Sequence, residues 1–165
     1  MIILCDIDGV LADCSHRLHY LEHKDYDKFY SEEEMLKDKP IPEGIDLVSY
    51  LIESPMVELH YLTGRPYRTQ ETTDKWLSQF SLESPLIMMR HDHDFRKSEI
   101  VKAETLDKFL ENYEIGDQAI IFIDDDPLNV AGVCQKHPQI KGITFGAERL
   151  NRLIDFADRY NELCK

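Results

Sequence analysis

Short apolar runs mark the strands that this sequence predicts. Residues 2–5 read Ile-Ile-Leu-Cys and stop at Asp6, and residues 119–123 form a second such run that also ends in acidic residues. A run this short and this apolar is typical of a strand buried on both faces of a parallel sheet. Residues 57–62 alternate between apolar and polar, which predicts a half-buried strand that ends just before Thr63.

Segments with helical spacing separate these strands. Apolar side chains recur every three or four positions in residues 45–52 and again in residues 98–113, and Pro66 occupies a favoured first position for another helix. A third apolar run at 86–89 and a last strand at 140–145 complete the sheet. A final helix is predicted from Leu150, Leu153, Ile154, Ala157 and Tyr160. Strands that alternate with helices predict an α/β fold with a mostly parallel sheet and flanking helices.

A polar and aromatic stretch, residues 13–40, follows the first strand and is too long for a turn. We predict that it is helical and forms a small cap that excludes water from a site at the end of that strand. A pair of amphipathic surface helices is the alternative. His19 and His23 have the i, i+4 spacing of a helical metal pair, but no Glu accompanies them as in HExxH, so zinc is not expected.

Two carboxylates, Asp6 and Asp8, stand at the end of the first strand and are followed at once by Gly9. Open parallel sheets bind ligands at the carboxyl ends of their strands, and residues two apart on a strand share a face. Carboxylates this close repel one another unless a cation or a shared proton lies between them. Mg²⁺ suits one or two carboxylates together with a substrate phosphate. A solvated acidic turn is the alternative.

Length and charge limit the range of functions. The 165 residues predict a single domain, 1–165, with the insertion at 13–40. A formal charge of −13 disfavours an extended nucleic-acid-binding surface, which depends on Lys and Arg. We expect a cytoplasmic protein with no membrane contact, because no signal peptide and no apolar run of about 18 residues occurs. The four cysteines are scattered along the sequence, and we expect them to be reduced thiols.

Four motifs, taken in order, resemble those of the haloacid dehalogenase (HAD) superfamily. They are Asp6-Ile7-Asp8-Gly9-Val10-Leu11, Leu62-Thr63-Gly64-Arg65, Lys102 after a strand and loop, and Ile123-Asp124-Asp125. Each motif is weak alone, but their shared order over nearly the whole chain is a strong signal. The resemblance implies a Rossmann-like sheet with flanking helices and a small helical cap inserted after the first strand.

The resemblance also implies a reaction, the hydrolysis of phosphomonoesters through an aspartyl-phosphate intermediate. Asp6 would be the nucleophile, and Asp8 would act as general acid and then as general base. Thr63 would donate a hydrogen bond to a phosphoryl oxygen, and Lys102 would offset negative charge there.

The metal site implied by the same resemblance holds Mg²⁺. Its ligands would be Asp6, Asp124, Asp125 and the main-chain carbonyl of Asp8. Without Mg²⁺ and the lysine, an anionic nucleophile and an anionic phosphate could not meet.

A finer resemblance is to the phosphatase domain of phage-type polynucleotide kinase/phosphatases, which removes 3′-phosphates. It rests on Arg17, on Thr63-Gly64-Arg65 and on residues 96–102, and it implies that Arg17, Gly64 and Arg65 bind substrate. Surface salt bridges are the alternative for the two arginines. Ser98 stands where that family usually has Asp, which puts the support of Lys102 in question. Lys97 is the alternative lysine, but the spacing favours Lys102.

The substrate has several candidates at this point. A phosphorylated nucleic-acid 3′ end or 3′-nucleotide ranks slightly ahead of a nucleoside 5′-monophosphate or another small phosphoester. A phosphotransferase and a non-catalytic binding module with this fold are further alternatives. The sequence contains no GxxxxGK[ST] loop and therefore no sign of a kinase half. It does not indicate any protein partner.

Overall fold

A five-stranded parallel sheet forms the centre of the protein, and across the sheet its strands follow in the order Ile87–Arg90, Glu58–Pro66, Ile2–Cys5, Ile120–Asp124 and Ile140–Thr144. The structure is a computed structural model that describes residues 1–84, 86–113 and 115–146. The sheet strands are β1 Ile2–Cys5, β4 Glu58–Pro66, β5 Ile87–Arg90, β6 Ile120–Asp124 and β7 Ile140–Thr144. The predicted mostly parallel α/β architecture is thus confirmed. The final helix predicted around Leu150 lies outside the described residues.

Strand β1 lies in the middle of the sheet and has no exposed face. Leu4 is in register with His60 on one side and with Phe122 on the other. All four residues of β1 are buried, and their side chains alternate between two cores on opposite faces of the sheet. This burial explains why the run is apolar at every position.

Among the described residues, four helices cover the two faces of the sheet. They are α4 Pro42–Ile52, α5 Gln70–Ser78, α6 Ser98–Asn112 and α7 Pro127–Lys136. Leu47 and Val48 of α4 and Trp76 of α5 pack in the core that contains Ile3 and Cys5. The other core combines Ile2 and Leu4 with apolar residues of α6 and α7, among them Leu106, Phe109 and Val133. The helical periodicity therefore marks the faces that meet the sheet.

The insertion between β1 and α4 consists of short helices. A 3₁₀ helix, Ser15–Arg17, precedes α1 Leu18–Glu22, α2 Tyr26–Phe29 and α3 Glu32–Met35. A two-stranded antiparallel ribbon closes its base, where β2 Ala12–Asp13 pairs with β3 Lys39–Pro40. The ribbon holds the two ends of the insertion together, so the helical cap inserted after the first strand has a defined position.

Strand β4 is longer than the sequence pattern predicts. It continues past residue 62 to Pro66, with an irregular register between Leu62 and Pro66. Pairing resumes where Pro66 meets Arg90 of β5, so Pro66 ends a strand instead of beginning a helix. The prediction of a strand end before Thr63 was wrong, because alternation of side chains does not reveal pairing beyond a bulge.

Within the described residues, no helix is both long enough and apolar enough to cross a membrane.

Candidate active site

The carboxyl ends of β1 and β6 and helix α6 bring three predicted side chains to one place. Asp6 follows β1, Asp124 is the last residue of β6, and Lys102 reaches them from the second turn of α6. The Lys102 Nζ atom lies 2.6 Å from Asp6 Oδ2 and 2.6 Å from Asp124 Oδ2. A single ammonium therefore bridges carboxylates that are 118 positions apart in the chain (124 − 6).

Burial makes this bridge electrostatically strong. Lys102 is 2% exposed and Asp124 is fully buried. Burial alone would lower the pKa of Lys102, but the charges of Asp6 and Asp124 raise it above its ordinary value, so the side chain is an ammonium. Burial raises the pKa of Asp6; Lys102 opposes this shift and Asp124 adds to it. The nearby negative charges are thus only partly compensated by the lysine.

Asp125 completes an acidic cluster that suits a divalent cation. One carboxylate oxygen each from Asp6, Asp124 and Asp125 lie within 4.8 Å of one another. Gly9 has a φ of +83°, and a Cβ atom at this position would lie 2.1 Å from Asp125 Oδ2. Only glycine therefore permits the turn after Asp8 to approach Asp125 so closely.

Asn129 is part of the same cluster, and our sequence reasoning did not identify it. Its Nδ2 group donates to Asp124 Oδ1 over 3.0 Å, and the Asp126 amide donates to the same oxygen over 2.9 Å. The buried Asn129 Oδ1 atom has no hydrogen-bond partner in the described part of the chain. A buried acceptor without a partner beside three carboxylates fits a hydrated Mg²⁺, whose water molecules would donate to it.

Asp8 points into the same pocket but belongs to a second charge network. Arg65 donates to it from Nε over 3.0 Å and from Nη2 over 2.7 Å, and Arg17 Nη2 donates over 2.8 Å. Burial would raise the pKa of Asp8, but Arg65 and then Arg17 outweigh this effect and lower it. The arginines therefore hold Asp8 as an oriented carboxylate.

Asp38, which our sequence reasoning missed, links the two arginines. Its fully buried carboxylate accepts from Arg17 Nε and Nη2, both over 2.7 Å, and from Arg65 Nη2 over 2.9 Å. Trp76 Nε1 donates to the Asp38 carbonyl over 2.9 Å. Both guanidinium groups are fully buried behind Asp8 and do not line the pocket. Direct contact between these arginines and a substrate stays a prediction.

Thr63 and Gly64, at the irregular end of β4, differ in whether they face the pocket. Thr63 is buried, and its Oγ1 accepts from the Arg65 amide over 3.3 Å, whereas Gly64 lines the pocket. Arg90 Nε donates to the Gly64 carbonyl over 3.0 Å and anchors this backbone. A Cβ at Gly64 would lie 3.3 Å from Ser98 Oγ, so a side chain there would crowd the pocket wall.

The two candidate lysines, Lys97 and Lys102, lie in different surroundings. Lys97 has a 79% exposed side chain and pairs with Glu99 over 3.7 Å, and it forms no ion pair with Asp6 or Asp124. Lys102 is held by Asp6 and Asp124, so the Ser98 that departs from the family pattern is not needed to orient it. Ser98 instead lines the pocket.

The pocket above these groups has a volume of about 500 Å³. Its floor contains the charged residues Asp6, Asp8, Lys102 and Asp125 together with the amide of Asn129. Its outer wall comes from the insertion, through Leu18, Leu21, Phe29 and Tyr30. The pocket has room for a phosphate with a small organic portion between the sheet edge and the insertion, once a cation offsets the charge of the carboxylates.

The fold and this acidic site define the class as haloacid dehalogenase-like. Among solved structures, a chain of the "Pnkp1/Rnl/Hen1 complex" superposes with a TM-score of 0.67 at 21% identity, covering 87% of this chain and 45% of that one. A haloacid dehalogenase-like hydrolase from Streptococcus pneumoniae gives 0.63 at 16% identity, over 92% and 90%. At these identities the likeness shows the fold alone, and this chain spans less than half of the Pnkp1-complex chain.

Residues 1–131 match the family model of the "Polynucleotide kinase PNKP phosphatase domain". The chain belongs to this family. L-2-haloacid dehalogenase from Xanthobacter autotrophicus is a more distant structural neighbour, with a TM-score of 0.59 at 10% identity over 92% of this chain and 80% of that one. No curated protein matches the sequence.

Proposed function

We propose that this chain is a Mg²⁺-dependent phosphomonoesterase that acts on 3′-phosphate ends of nucleic acid or nucleotides. The observation that carries the proposal is the contact of Lys102 Nζ with both Asp6 and Asp124 at 2.6 Å. This contact supports Asp6 as a nucleophile because the ammonium offsets the charge that opposes its approach to phosphate. The family match, to the phosphatase domain of a polynucleotide kinase, supports a phosphorylated nucleic-acid end as the substrate, and the resemblance described above implies its 3′ position.

In the first step, Asp6 attacks phosphorus. A bond forms between its carboxylate oxygen and phosphorus, and the bond from phosphorus to the ester oxygen breaks. The leaving oxygen takes a proton from Asp8. The pKa of Asp8 is lowered by Arg65 and Arg17 in the free protein, but an adjacent phosphate dianion would raise it by repulsion and favour the protonated form.

In the second step, water attacks the phosphorus of the aspartyl phosphate. Asp8, now ionised, accepts the proton of that water, and inorganic phosphate leaves as the carboxylate of Asp6 is regenerated. Arg65 and Arg17 favour this ionised state. Mg²⁺, held by Asp6, Asp124, Asp125 and the Asp8 carbonyl, would supply positive charge to the phosphoryl oxygens.

Phosphate release from three substrates tests the proposal. We expect faster release from a 3′-phosphorylated oligonucleotide or a 3′-mononucleotide than from a 5′-mononucleotide, and no release with excess chelator. Asp6→Asn should abolish turnover and leave the circular dichroism spectrum unchanged. Preference for the 5′ compound would favour a 5′-nucleotidase, and near-normal activity of Asp6→Asn would refute the mechanism. Absence of hydrolysis of any phosphoester would favour the binding module.

A further inference from the structure

Two further pockets adjoin the catalytic pocket, and we refer to them together as the groove. Its inner part, about 190 Å³, shares Tyr30 and Arg90 with the wall of the catalytic pocket. Its outer part, about 460 Å³, shares Tyr26, Arg68, Asp92 and Phe95 with the inner part. A molecule whose phosphate lies at Asp6 could therefore extend along this groove.

Two exposed aromatic rings, Tyr26 and Phe95, line both parts of this groove; we call them the aromatic rim. Phe95 is 70% exposed and Tyr26 is 40% exposed, and their ring centroids lie 5.9 Å apart at an interplanar angle of 51°. Tyr26 belongs to α2 of the insertion, and Phe95 to the loop after β5. The rings already contact each other, so a third ring would stack on their exposed faces instead of entering between them.

The charges along the groove do not form a track for a phosphodiester backbone. The cationic groups that line its two parts are Lys24, Arg68, Arg90 and Arg96, and the carboxylates are Asp25, Asp27, Asp92 and Asp94. These four positive and four negative charges balance. Arg96 lies 2.7 Å from Asp94, and Arg90 donates to the carbonyls of Gly64, Asp94 and Arg96. Stacking, not charge, is therefore the interaction that this groove offers.

We propose that the aromatic rim binds the base of the nucleotide that carries the phosphate. This inference rests on the proposed function and deepens it. The base would stack on Phe95 and Tyr26, and the phosphate would lie at Asp6. Because every base has an aromatic face, such stacking accepts all four bases. It also explains how an acidic chain could recognise a nucleic-acid end without an extended basic surface.

Binding to the Asp6→Asn protein tests the rim separately from turnover. The probes are two trinucleotides with a 3′-phosphate, one with 2-aminopurine as its last base and one with an abasic residue there. We expect the 2-aminopurine probe to bind about tenfold more tightly, the lower part of the range for stacking of one base, with quenching of its fluorescence. Adding Phe95→Ala to the Asp6→Asn protein should remove both the tighter binding of the 2-aminopurine probe and the quenching of its fluorescence. Adding Tyr26→Ala should weaken both effects.

The matched control is Tyr67→Ala, because Tyr67 is 63% exposed but does not line the groove. This control should keep the full advantage of the base, and Phe95→Ala should leave the binding of the abasic probe unchanged. Equal binding of the two probes by the Asp6→Asn protein would overturn the proposal. Equal weakening of the binding of both probes by Phe95→Ala would also overturn it. So would an affinity that rises steadily as the 3′-phosphorylated oligonucleotide is made longer.

Turnover by the wild-type protein separates this inference from the proposed function. If base-dependent binding occurs but no phosphate is released, the rim stands and the phosphatase proposal fails. If phosphate is released with the same kcat/KM from both probes, the phosphatase proposal stands and the rim fails.

Discussion

Arg65 donates two hydrogen bonds to Asp8, and the Nη2 atom that makes the shorter one, 2.7 Å, also lies 2.9 Å from Asp38. Arg17, from the insertion, contacts the same two carboxylates. The insertion and strand β4 are thus joined through a charge network that ends at the proposed general acid/base. This arrangement ties the orientation of Asp8 to the position of the insertion.

Replacement of Asp38 should destabilise the protein. Asp38→Asn removes one of two negative charges that balance two fully buried guanidinium groups. We expect a loss of about 3 kcal/mol in the free energy of unfolding, since breaking a buried ion pair leaves an uncompensated charge. Urea denaturation followed by circular dichroism measures this loss. Asp27→Asn, at a fully exposed carboxylate, is the control and should leave the free energy of unfolding nearly unchanged. Equal stability of both variants would contradict the role of the network.

Substitution of Gly9 should affect the metal cluster as well as the backbone. Gly9→Ala adds strain at a positive φ and places a methyl group 2.1 Å from Asp125 Oδ2. Gly116→Ala is the matched control, because Gly116 also has a positive φ, +57°, but a Cβ there meets nothing within 4 Å. We expect a loss of about 1 kcal/mol for Gly116→Ala and a larger loss for Gly9→Ala. Titration calorimetry should show weaker Mg²⁺ binding for Gly9→Ala alone, and equal Mg²⁺ affinity of the two variants would refute the predicted contact.

Mg²⁺ should stabilise the folded protein. Three carboxylates and one ammonium meet at the cluster, so a divalent cation relieves a net negative charge. At a free concentration about a hundred times its Kd, Mg²⁺ should raise the free energy of unfolding by about 2.7 kcal/mol. Thermal denaturation with Mg²⁺ or chelator measures this effect. Asp125→Asn should abolish most of it, whereas Asp117→Asn, an exposed carboxylate elsewhere, should retain it. Stabilisation that survives Asp125→Asn would place the ion at another site.

The loop that carries Phe95 should respond to acid. The Arg96 side chain, beside Asp94, lowers the pKa of that carboxyl to about 2. Because the pKa is depressed in the folded state, the contact contributes its full stabilisation above the ordinary pKa of about 3.9. This contribution is lost as pH falls toward 2. Carboxyl chemical shifts in an NMR titration should report this low pKa, and Arg96→Gln should raise it toward the ordinary value. An ordinary pKa in the wild-type protein would show that the contact does not form in solution.

The sequence by itself predicted the order of the five sheet strands along the chain, helices α4 and α6 and the end of strand β1, but it did not predict α7. Apolar runs report burial on both faces, and the carboxyl ends of parallel strands share one edge. For that reason the pattern placed Asp6 and Asp8 at the carboxyl edge of the sheet. The family motifs assigned Asp124 and Lys102 to the same site, and the structure places Lys102 between Asp6 and Asp124. The chemical roles of these residues stay predictions.

Only the tertiary structure revealed Asp38, Asn129 and the aromatic rim. Arg17 and Asp38 are 21 positions apart, and Tyr26 and Phe95 come from the insertion and from a loop beyond β5. Periodicity reports which face of an element is buried, but a contact between irregular segments has no period and leaves no pattern in the chain. Such contacts depend on how the elements pack, and at this site they determine that Arg17 and Arg65 lie behind Asp8 instead of facing the pocket.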